Sequence, residues 1–207
     1  MIAQSAYDFL KRDPVLARIL PDAPLPQQQP RADIYFHLVR AIVGQQLSVK
    51  AADTICGRFL ALFDREYPDP KALVAIETEA LRGAGLSGQK AKYVKNVAAF
   101  ALEHDLATVK NMGDDEALAF MTQIKGVGEW TAQMILMFSL ARADIFPAGD
   151  QGVVNAMTRL YQIEERGKDR RQLCIALAES WRPYRSYACI YLWRWLDNQP
   201  KIQKEEA

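Results

Sequence analysis

Apolar residues recur every three or four positions along most of the chain, which is the spacing of one face of an α-helix. The clearest case is residues 31–63, where the apolar positions are Phe36, Val39, Ile42, Val43, Leu47, Ile55, Phe59 and Leu62. The same period returns in QKAKYVKNVAAFAL, at residues 89–102. Apolar and polar residues nowhere alternate for more than a few positions, so strands are not expected. The pattern therefore predicts an all-α protein.

Glycine and proline mark the breaks between these predicted helices. PDAPLPQQQPR, at residues 21–31, is the one linker-like stretch, and it separates an N-terminal helix from the body. RGAGLSG, at residues 82–88, predicts a turn ahead of a helix. In GDDEALAFMTQIKGVG, at residues 113–128, Asp114 or Asp115 is positioned to cap a helix that stops at the glycines.

Composition narrows the class of protein only a little. Half of the 207 residues are hydrophobic, which is enough for a sizeable core. The formal net charge is +1, so a nucleic-acid partner is neither required nor excluded, and local basic runs fit either a solvated helix face or a DNA-binding surface. Three separated cysteines without a CxxC pair, and no apolar run long enough for a membrane span, favour a cytoplasmic protein that is not exported.

The stretch IKGVGEWTAQ, at residues 124–133, predicts two helices joined by a tight turn. Gly126 and Gly128 allow positive φ and a close approach of backbone to another group. A glycine turn that leads into a helix N-terminus presents backbone N–H groups, which can hold a phosphate without reading the base sequence. A plain αα-turn accounts for this stretch equally well.

Asp150 follows the sequence FPAG and precedes QGVVNAMTRLYQI, so we expect it at the start of a helix. The positive end of a helix dipole favours a carboxylate there. An ordinary N-cap explains such a residue without any further function. One buried helix and a short loop join Asp150 to the glycine turn. A second interpretation is therefore that Asp150 and the turn belong to one functional site.

These pieces together resemble a known family. IKGVGEWTAQMILMFSLARADIFPAGD, at residues 124–150, is similar to the helix-hairpin-helix, Gly/Pro-rich loop and aspartate signature of the DNA base-excision glycosylases. AIVGQQLSVKAADTI, GLSGQKAKYV and WRPYRSYACIYLWRW resemble the branch of 3-methyladenine DNA glycosylase II. The resemblance covers about residues 36–196 and implies two helical lobes with a cleft between them. The corresponding lobes are residues 1–35 with 141–207, and residues 36–140.

The resemblance implies a chemistry centred on Asp150, the counterpart of the family's catalytic aspartate. Bifunctional members carry a lysine in the hairpin where this chain has Trp130, and an indole cannot form the Schiff base that leads to strand cleavage. We therefore expect a monofunctional enzyme. The four-cysteine motif of iron-sulfur members is missing, so no cluster and no required cofactor are expected.

The same resemblance assigns residues to the flipped base and to DNA. Trp130 and Trp193 align with aromatic residues of the base pocket, and Tyr187 and Tyr191 are further candidates. Gln46 corresponds to the wedge that fills the gap left by a flipped nucleotide. The remaining residues expected near the DNA backbone are Gln45, Ser48, Lys90, Lys92, Gly126, Val127, Gly128 and Thr131. Trp181 and Trp195 are expected to pack in the core.

Some assignments stay open from the sequence. Arg182 and Arg185 either contact phosphate or bond within the fold. The family's hairpin often binds a monovalent cation through backbone carbonyls, here those of Thr122, Ile124 and Val127. Only about 35 residues precede the matching region, so the N-terminal β-containing domain of the best-known branch member is not expected.

The function implied is excision of cationic alkylated purines, such as 3-methyladenine and 7-methylguanine, from double-stranded DNA by a monomeric enzyme without a membrane partner. Three alternatives stay open. One is a helix-hairpin-helix DNA-binding module in which Asp150 is only a cap. A second is a glycosylase for uncharged lesions, and a third is a helical scaffold that binds other proteins.

Overall fold

The computed structural model describes residues 2–199, which form eleven α-helices and no β-strand. The predicted all-α class is confirmed. The helices are α1 (Ile2–Leu10), α2 (Ile34–Gly44), α3 (Val49–Leu60), α4 (Pro70–Ala75), α5 (Thr78–Gly83), α6 (Gly88–Glu103), α7 (Asp114–Met121), α8 (Glu129–Met134), α9 (Gln151–Leu160), α10 (Gly167–Ala178) and α11 (Arg185–Asp197). No helix among these residues is both long and apolar enough to cross a membrane.

The chain divides into two compact units. A central unit comprises residues 29–140, and a terminal unit combines residues up to 28 with those from 141 onward. The sequence prediction put the first boundary after residue 35 and the second after residue 140. The first boundary lies earlier because Asp33 caps α2 with its side chain, which accepts a hydrogen bond from the N–H of Phe36.

The core of the central unit forms where α2 packs against α3 and α6, and where α6 packs against α4. Leu38 and Ile42 of α2 are fully buried, as are Val94 and Val97 of α6. Full burial of such a side chain stabilises the folded state by roughly 1.5–3 kcal/mol. These helices form the support beneath the loops that carry the candidate site residues of this unit.

The glycine-turn helix α8 does not end as a regular helix. It continues directly into a π-helical turn, Ile135–Ser139, of which four residues are buried. The carbonyl of Ser139 accepts a hydrogen bond from the N–H of Arg31 at 2.7 Å, which ties the end of this turn to the segment before α2. The buried helix predicted after the glycines is present, with this local widening.

The terminal unit is built around α9 and α11, with α1 packed on α11. Val153 and Met157 of α9 are fully buried. The predicted linker contributes to this unit, since the N–H of Leu25 donates a hydrogen bond to the hydroxyl of Tyr191 at 3.4 Å. The terminal unit therefore draws its core from both ends of the sequence.

Asp13 stabilises the terminal unit through four hydrogen bonds. Its Oδ2 accepts the Tyr161 hydroxyl at 2.6 Å and the Trp181 indole N–H at 3.0 Å. Its Oδ1 accepts the N–H groups of Val15 and Leu16. Burial acts to raise the pKa of Asp13, but the four hydrogen bonds together outweigh it and lower the pKa. Trp181 is buried, as predicted, whereas Trp195 is only half-buried.

Candidate functional site

The hairpin lies between α7 and α8, with residues 122–128 as its turn. Gly126 has φ of 111° and lies against the ring of Tyr93, where a Cβ would overlap the side chain. Gly128 differs from the expectation, because its φ is −86° and a Cβ there would have open space. Of these two positions, only 126 needs a glycine, both for its positive φ and for the space against Tyr93. Gly113, not Asp114 or Asp115, is the N-cap of α7.

The turn uses some of its backbone groups internally. The N–H of Val127 donates to the carbonyl of Ile124 at 2.9 Å, and the Val127 side chain is buried. Val127 therefore shapes the turn and has no N–H left for a phosphate. The Ile124 carbonyl has a second lone pair that could still face a cation. The exposed backbone at Gly128 and Glu129 begins α8, where the N–H groups of the first turn have no partner within the helix.

The predicted wedge lies in the short connection between α2 and α3. Gln46 is exposed and has φ of 58°, a left-handed conformation that is uncommon for a residue with a side chain. Ser48 caps α3, since its hydroxyl accepts a hydrogen bond from the N–H of Ala51 at 3.4 Å. Val49 follows with 81% of its surface exposed. An exposed glutamine at the tip of a tight connection suits the predicted wedge.

Gln45 and Thr131, both expected near the DNA backbone, contact each other. The Gln45 Nε2 donates a hydrogen bond to the Thr131 Oγ1 at 3.3 Å. Thr131 is buried, with 4% of its surface exposed. The structure therefore gives Thr131 a contact within the protein and places the wedge connection against α8.

Lys90, predicted to bind phosphate, has a hydrogen-bond partner within the central unit. Its Nζ donates a hydrogen bond to the carbonyl of Val43 at 2.9 Å, at the C-terminal end of α2. Burial lowers the pKa of this amine. A cation at a helix C-terminus interacts favourably with the helix dipole and with unpaired carbonyls. Lys90 thus has a partner within the protein, Lys92 is exposed, and the phosphate contact of each stays a prediction.

Asp150 is the N-cap of α9, and its Oδ1 accepts a hydrogen bond from the N–H of Val153 at 2.8 Å. Its own N–H donates to the carbonyl of Pro147, which closes the preceding turn. The indole Nε1 of Trp193 donates a second hydrogen bond to the same Oδ1 at 2.9 Å. The carboxylate is therefore fixed from two directions, by backbone and by an aromatic side chain.

Gly152 is a site residue that the sequence reasoning missed. A Cβ at this position would lie 3.1 Å from the Oδ1 of Asp150 and 3.1 Å from both Cδ1 and Nε1 of Trp193. Such a separation is shorter than ordinary van der Waals contact, so the glycine leaves room for the Trp193–Asp150 hydrogen bond. The only signal in the sequence is a glycine inside a predicted helix, which costs stability unless something requires it.

Cys189 is fully buried. Burial first, and then the negative charge of Asp150, raise the pKa of its thiol. The site of Asp150 is thus backed by a neutral thiol in the interior of the terminal unit.

The four aromatic candidates fall into two groups. Trp130 is 45% exposed and Trp193 is half-buried, so a flat ligand can reach part of each ring. Tyr187 and Tyr191 are 5% and 1% exposed. A base cannot stack on rings that are buried, so the expectation that these two do so is wrong for the structure as it stands. Both lie on α11, where the aromatic sequence gave no indication of which rings face the core.

The open question about Arg182 and Arg185 is answered by ion pairs within the terminal unit. Arg185 Nε donates to Asp144 Oδ1 at 2.8 Å, and Arg182 Nη1 donates to Asp144 Oδ2 at 2.7 Å. Both guanidinium groups also bind Glu179. Asp144 lies in the loop that leads to Asp150. These arginines therefore fix that loop and the start of α11 and are not directed at phosphate.

The fold and this arrangement define a class: all-helical proteins with a glycine hairpin and a carboxylate fixed at a helix N-terminus. The profile of the HhH-GPD superfamily of base excision DNA repair proteins matches residues 39–183. The chain belongs to this family.

Relatives with curated names agree with this family. DNA-3-methyladenine glycosylase 1 of Schizosaccharomyces pombe is 31% identical over 164 residues, which cover 77% of this chain and 71% of that protein. YfjP of Bacillus subtilis is 32% identical over 78% of this chain, which spans 58% of the length of that relative.

Solved structures give the same result. The structure of S. pombe Mag1, a 3-methyladenine DNA glycosylase in complex with abasic DNA, has a TM-score of 0.78 and 26% identity, covering 92% of this chain and 95% of that one. A DNA-3-methyladenine glycosidase from Bacillus halodurans has a TM-score of 0.76 and 32% identity, covering 92% and 88%.

Proposed function

We propose that the protein is a monofunctional DNA glycosylase that excises cationic alkylated purines, such as 3-methyladenine and 7-methylguanine. The observation that carries the proposal is the Asp150 carboxylate, held by the Val153 N–H and the Trp193 indole. Family membership and the names of the relatives supply the reaction class. As an N-cap the residue also stabilises α9, and this role is compatible with catalysis.

Double-stranded DNA is the proposed partner. The hairpin offers the backbone N–H groups at the start of α8 to a phosphate, which binds DNA without regard to sequence. Gln46, exposed at the tip of its connection, would fill the gap left by the extruded nucleotide. Likeness to a protein solved with abasic DNA supports this partner.

The proposed reaction is hydrolysis of the N-glycosidic bond. The bond from C1′ to the base breaks, the bonding electrons leave with the base, and water supplies the hydroxyl at C1′. A carboxylate near C1′ stabilises the positive charge that develops on the sugar, an effect worth on the order of 10² to 10³ in rate. An N3- or N7-alkylated purine already carries a positive charge and leaves as a neutral base. A modest catalyst is therefore sufficient for such a substrate.

Selectivity for a cationic base would come from aromatic faces. A cation over an indole gains roughly 0.5–2 kcal/mol. Trp130 combines this capacity with an exposed ring. The side chain of Trp130 has no amine, so it cannot attack C1′ and form a Schiff base. The product would therefore be an abasic site in an intact strand.

The remaining assignments complete the proposal. We expect no iron-sulfur cluster and no required cofactor, and the carbonyls of Thr122, Ile124 and Val127 are candidate ligands for a monovalent cation. Residues 2–199 contain no group of three or more His, Cys, Asp or Glu side chains that could hold a metal ion. This observation concerns side chains and does not bear on a cation bound by backbone carbonyls. A monomer acting on the chromosome in the cytoplasm is our prediction for the whole protein.

The test is release of free bases from duplexes that each contain one defined lesion. We expect release of 3-methyladenine or 7-methylguanine, with strand breakage only after alkaline treatment. Release of uncharged lesions without any methylated purine would favour the alternative glycosylase. DNA binding without release of any base would leave the non-catalytic module, and breakage without alkali would contradict the role given to Trp130.

A further inference from the structure

Three side chains on one face of α6 contact the elements proposed to hold DNA. Lys90, Tyr93 and Asn96 are spaced by three residues, which places them along a single side of the helix. Lys90 contacts the end of α2, whereas Tyr93 and Asn96 contact the hairpin turn. All of these residues belong to the central unit.

The contact of Lys90 is made next to the wedge. Val43, whose carbonyl accepts the Lys90 amine, is three residues before Gln46. The backbone of Gln46 is left-handed, so the direction of its side chain depends on how the end of α2 is held. Lys90 fixes that end with a partly buried, charge-assisted hydrogen bond.

The other two contacts fix the hairpin. The Tyr93 ring lies against Gly126, and its hydroxyl accepts a hydrogen bond from Gln89 Nε2 at 2.6 Å. Asn96 Nδ2 donates to the carbonyl of Lys125 at 2.9 Å. The hairpin turn is therefore held on α6 by the packing of Tyr93 against Gly126 and by one hydrogen bond to the neighbouring Lys125 carbonyl.

A fourth contact connects the wedge and the hairpin without passing through α6. The hydrogen bond from Gln45 to Thr131 joins the wedge connection to α8, the helix that follows the hairpin turn. The wedge and the hairpin are thus connected twice, through α6 and directly. Lys90 and Asn96 are six positions apart on α6, which corresponds to a rise of about 9 Å along the helix axis.

We propose that α6 is a brace that sets the position of the wedge relative to the hairpin, with Lys90 and Asn96 as positioning residues for nucleotide extrusion. The inference rests on the proposed function, since it requires that both elements engage DNA. A hairpin that grips phosphate while the wedge is misplaced would bind DNA and fail to extrude a nucleotide. Lys90 then affects extrusion and leaves the number of phosphate contacts unchanged.

The test measures extrusion without chemistry. A duplex carries a tetrahydrofuran abasic analogue opposite 2-aminopurine, whose fluorescence rises when the wedge disturbs its stacking. We expect wild type to raise the fluorescence and Lys90→Met to lower the fraction of complexes in the extruded state by about tenfold, the effect of losing one charged hydrogen bond. Lys90→Arg should restore part of the signal. The dependence of affinity on salt should be the same in wild type and Lys90→Met.

Lys95→Met is the matched control, because Lys95 on the same helix also donates to carbonyls at the C-terminal end of α4, those of Val74 in its last turn and of Ile76 just beyond it. Both variants lose a similar bond and should lose similar thermal stability, and only Lys90→Met should lose extrusion. Equal loss of extrusion in both would overturn the brace. So would a decrease of about 0.9 in the slope of log affinity against log salt for Lys90→Met, since that marks a phosphate contact.

If Lys90→Met does not fold, Asn96→Leu tests the hairpin end of the brace with the same fluorescence assay. It removes the amide that donates to the Lys125 carbonyl, and we expect reduced extrusion with unchanged salt dependence. Wild-type extrusion in Asn96→Leu would overturn the proposal. A protein that raises the fluorescence and releases no base would refute the glycosylase function and leave the brace intact.

Discussion

Replacing Gly152 with alanine should separate activity from stability. The new Cβ would lie 3.1 Å from Asp150 Oδ1 and from two atoms of the Trp193 indole, against about 3.5–4.0 Å for an ordinary contact. The indole or the carboxylate must therefore move by a few tenths of an ångström. That shift weakens the 2.9 Å hydrogen bond between Trp193 and Asp150 and changes the direction of the carboxylate.

The magnitude follows from the kind of bond that is lost. A hydrogen bond to a charged group contributes about 1.5–3 kcal/mol, which corresponds to roughly 10- to 150-fold in rate if it acts only in the transition state. The backbone effect has the opposite sign, because alanine is favoured over glycine inside a helix by roughly 0.5–1 kcal/mol. The weakened hydrogen bond and the close Cβ contact offset this gain, so we expect slower base release with little net change in melting temperature.

The assay is single-turnover release of 3-methyladenine, with thermal unfolding measured on the same samples. Gly57→Ala is the control, since Gly57 lies within α3 and a Cβ there meets nothing within 4 Å. It should gain stability and keep the wild-type rate. A wild-type rate in Gly152→Ala would refute the reasoning that this glycine protects the geometry of Asp150.

Three further predictions concern other parts of the chain. Gly126→Ala should lower the melting temperature and weaken DNA binding, because the Cβ overlaps Tyr93 at a positive φ; equal affinity in a filter-binding assay would contradict this. Trp130→Ala should reduce the rate on 7-methylguanine by about 2- to 30-fold while stability is kept, since the exposed ring contributes a cation–π contact of roughly 0.5–2 kcal/mol; the single-turnover rate checks it. Asp13→Asn should remove part of the acid dependence of stability. Because the pKa of Asp13 is lowered in the folded state, its contribution is present above the ordinary value of 3.8 and is lost as pH falls through the lowered pKa, so urea unfolding at pH 7 and pH 3 should differ less in the variant.

The sequence predicted those features that depend on local pattern. Helical periodicity was sufficient for the all-α class, and the glycines of the hairpin and the position of Asp150 before a helix were both placed correctly. These features are local because each is determined by residues within one or two turns of chain. The family followed from the order of such local pieces.

Side-chain partners that are distant in sequence could not be predicted in this way. The place of Lys90 after a glycine turn indicates a phosphate contact. Its hydrogen-bond partner in the structure, the carbonyl of Val43, is 47 residues away in sequence. The need for Gly152 arises from Trp193, which approaches α9 from α11. Tyr191 lies in a helix with aromatic residues on several faces, so only tertiary packing decides that this ring is buried.

The most direct test of the central claim is the single-turnover rate of 3-methyladenine release by Asp150→Asn. Asparagine caps a helix about as well as aspartate, so α9 should persist and only the charge is removed. Asp69→Asn, at the N-cap of α4, is the control for an equivalent change at another helix. The account predicts a loss on the order of 10² to 10³ in rate for Asp150→Asn, with unchanged affinity for abasic DNA and a normal rate for Asp69→Asn. Release at the wild-type rate by Asp150→Asn would show that the carboxylate is a cap and nothing more.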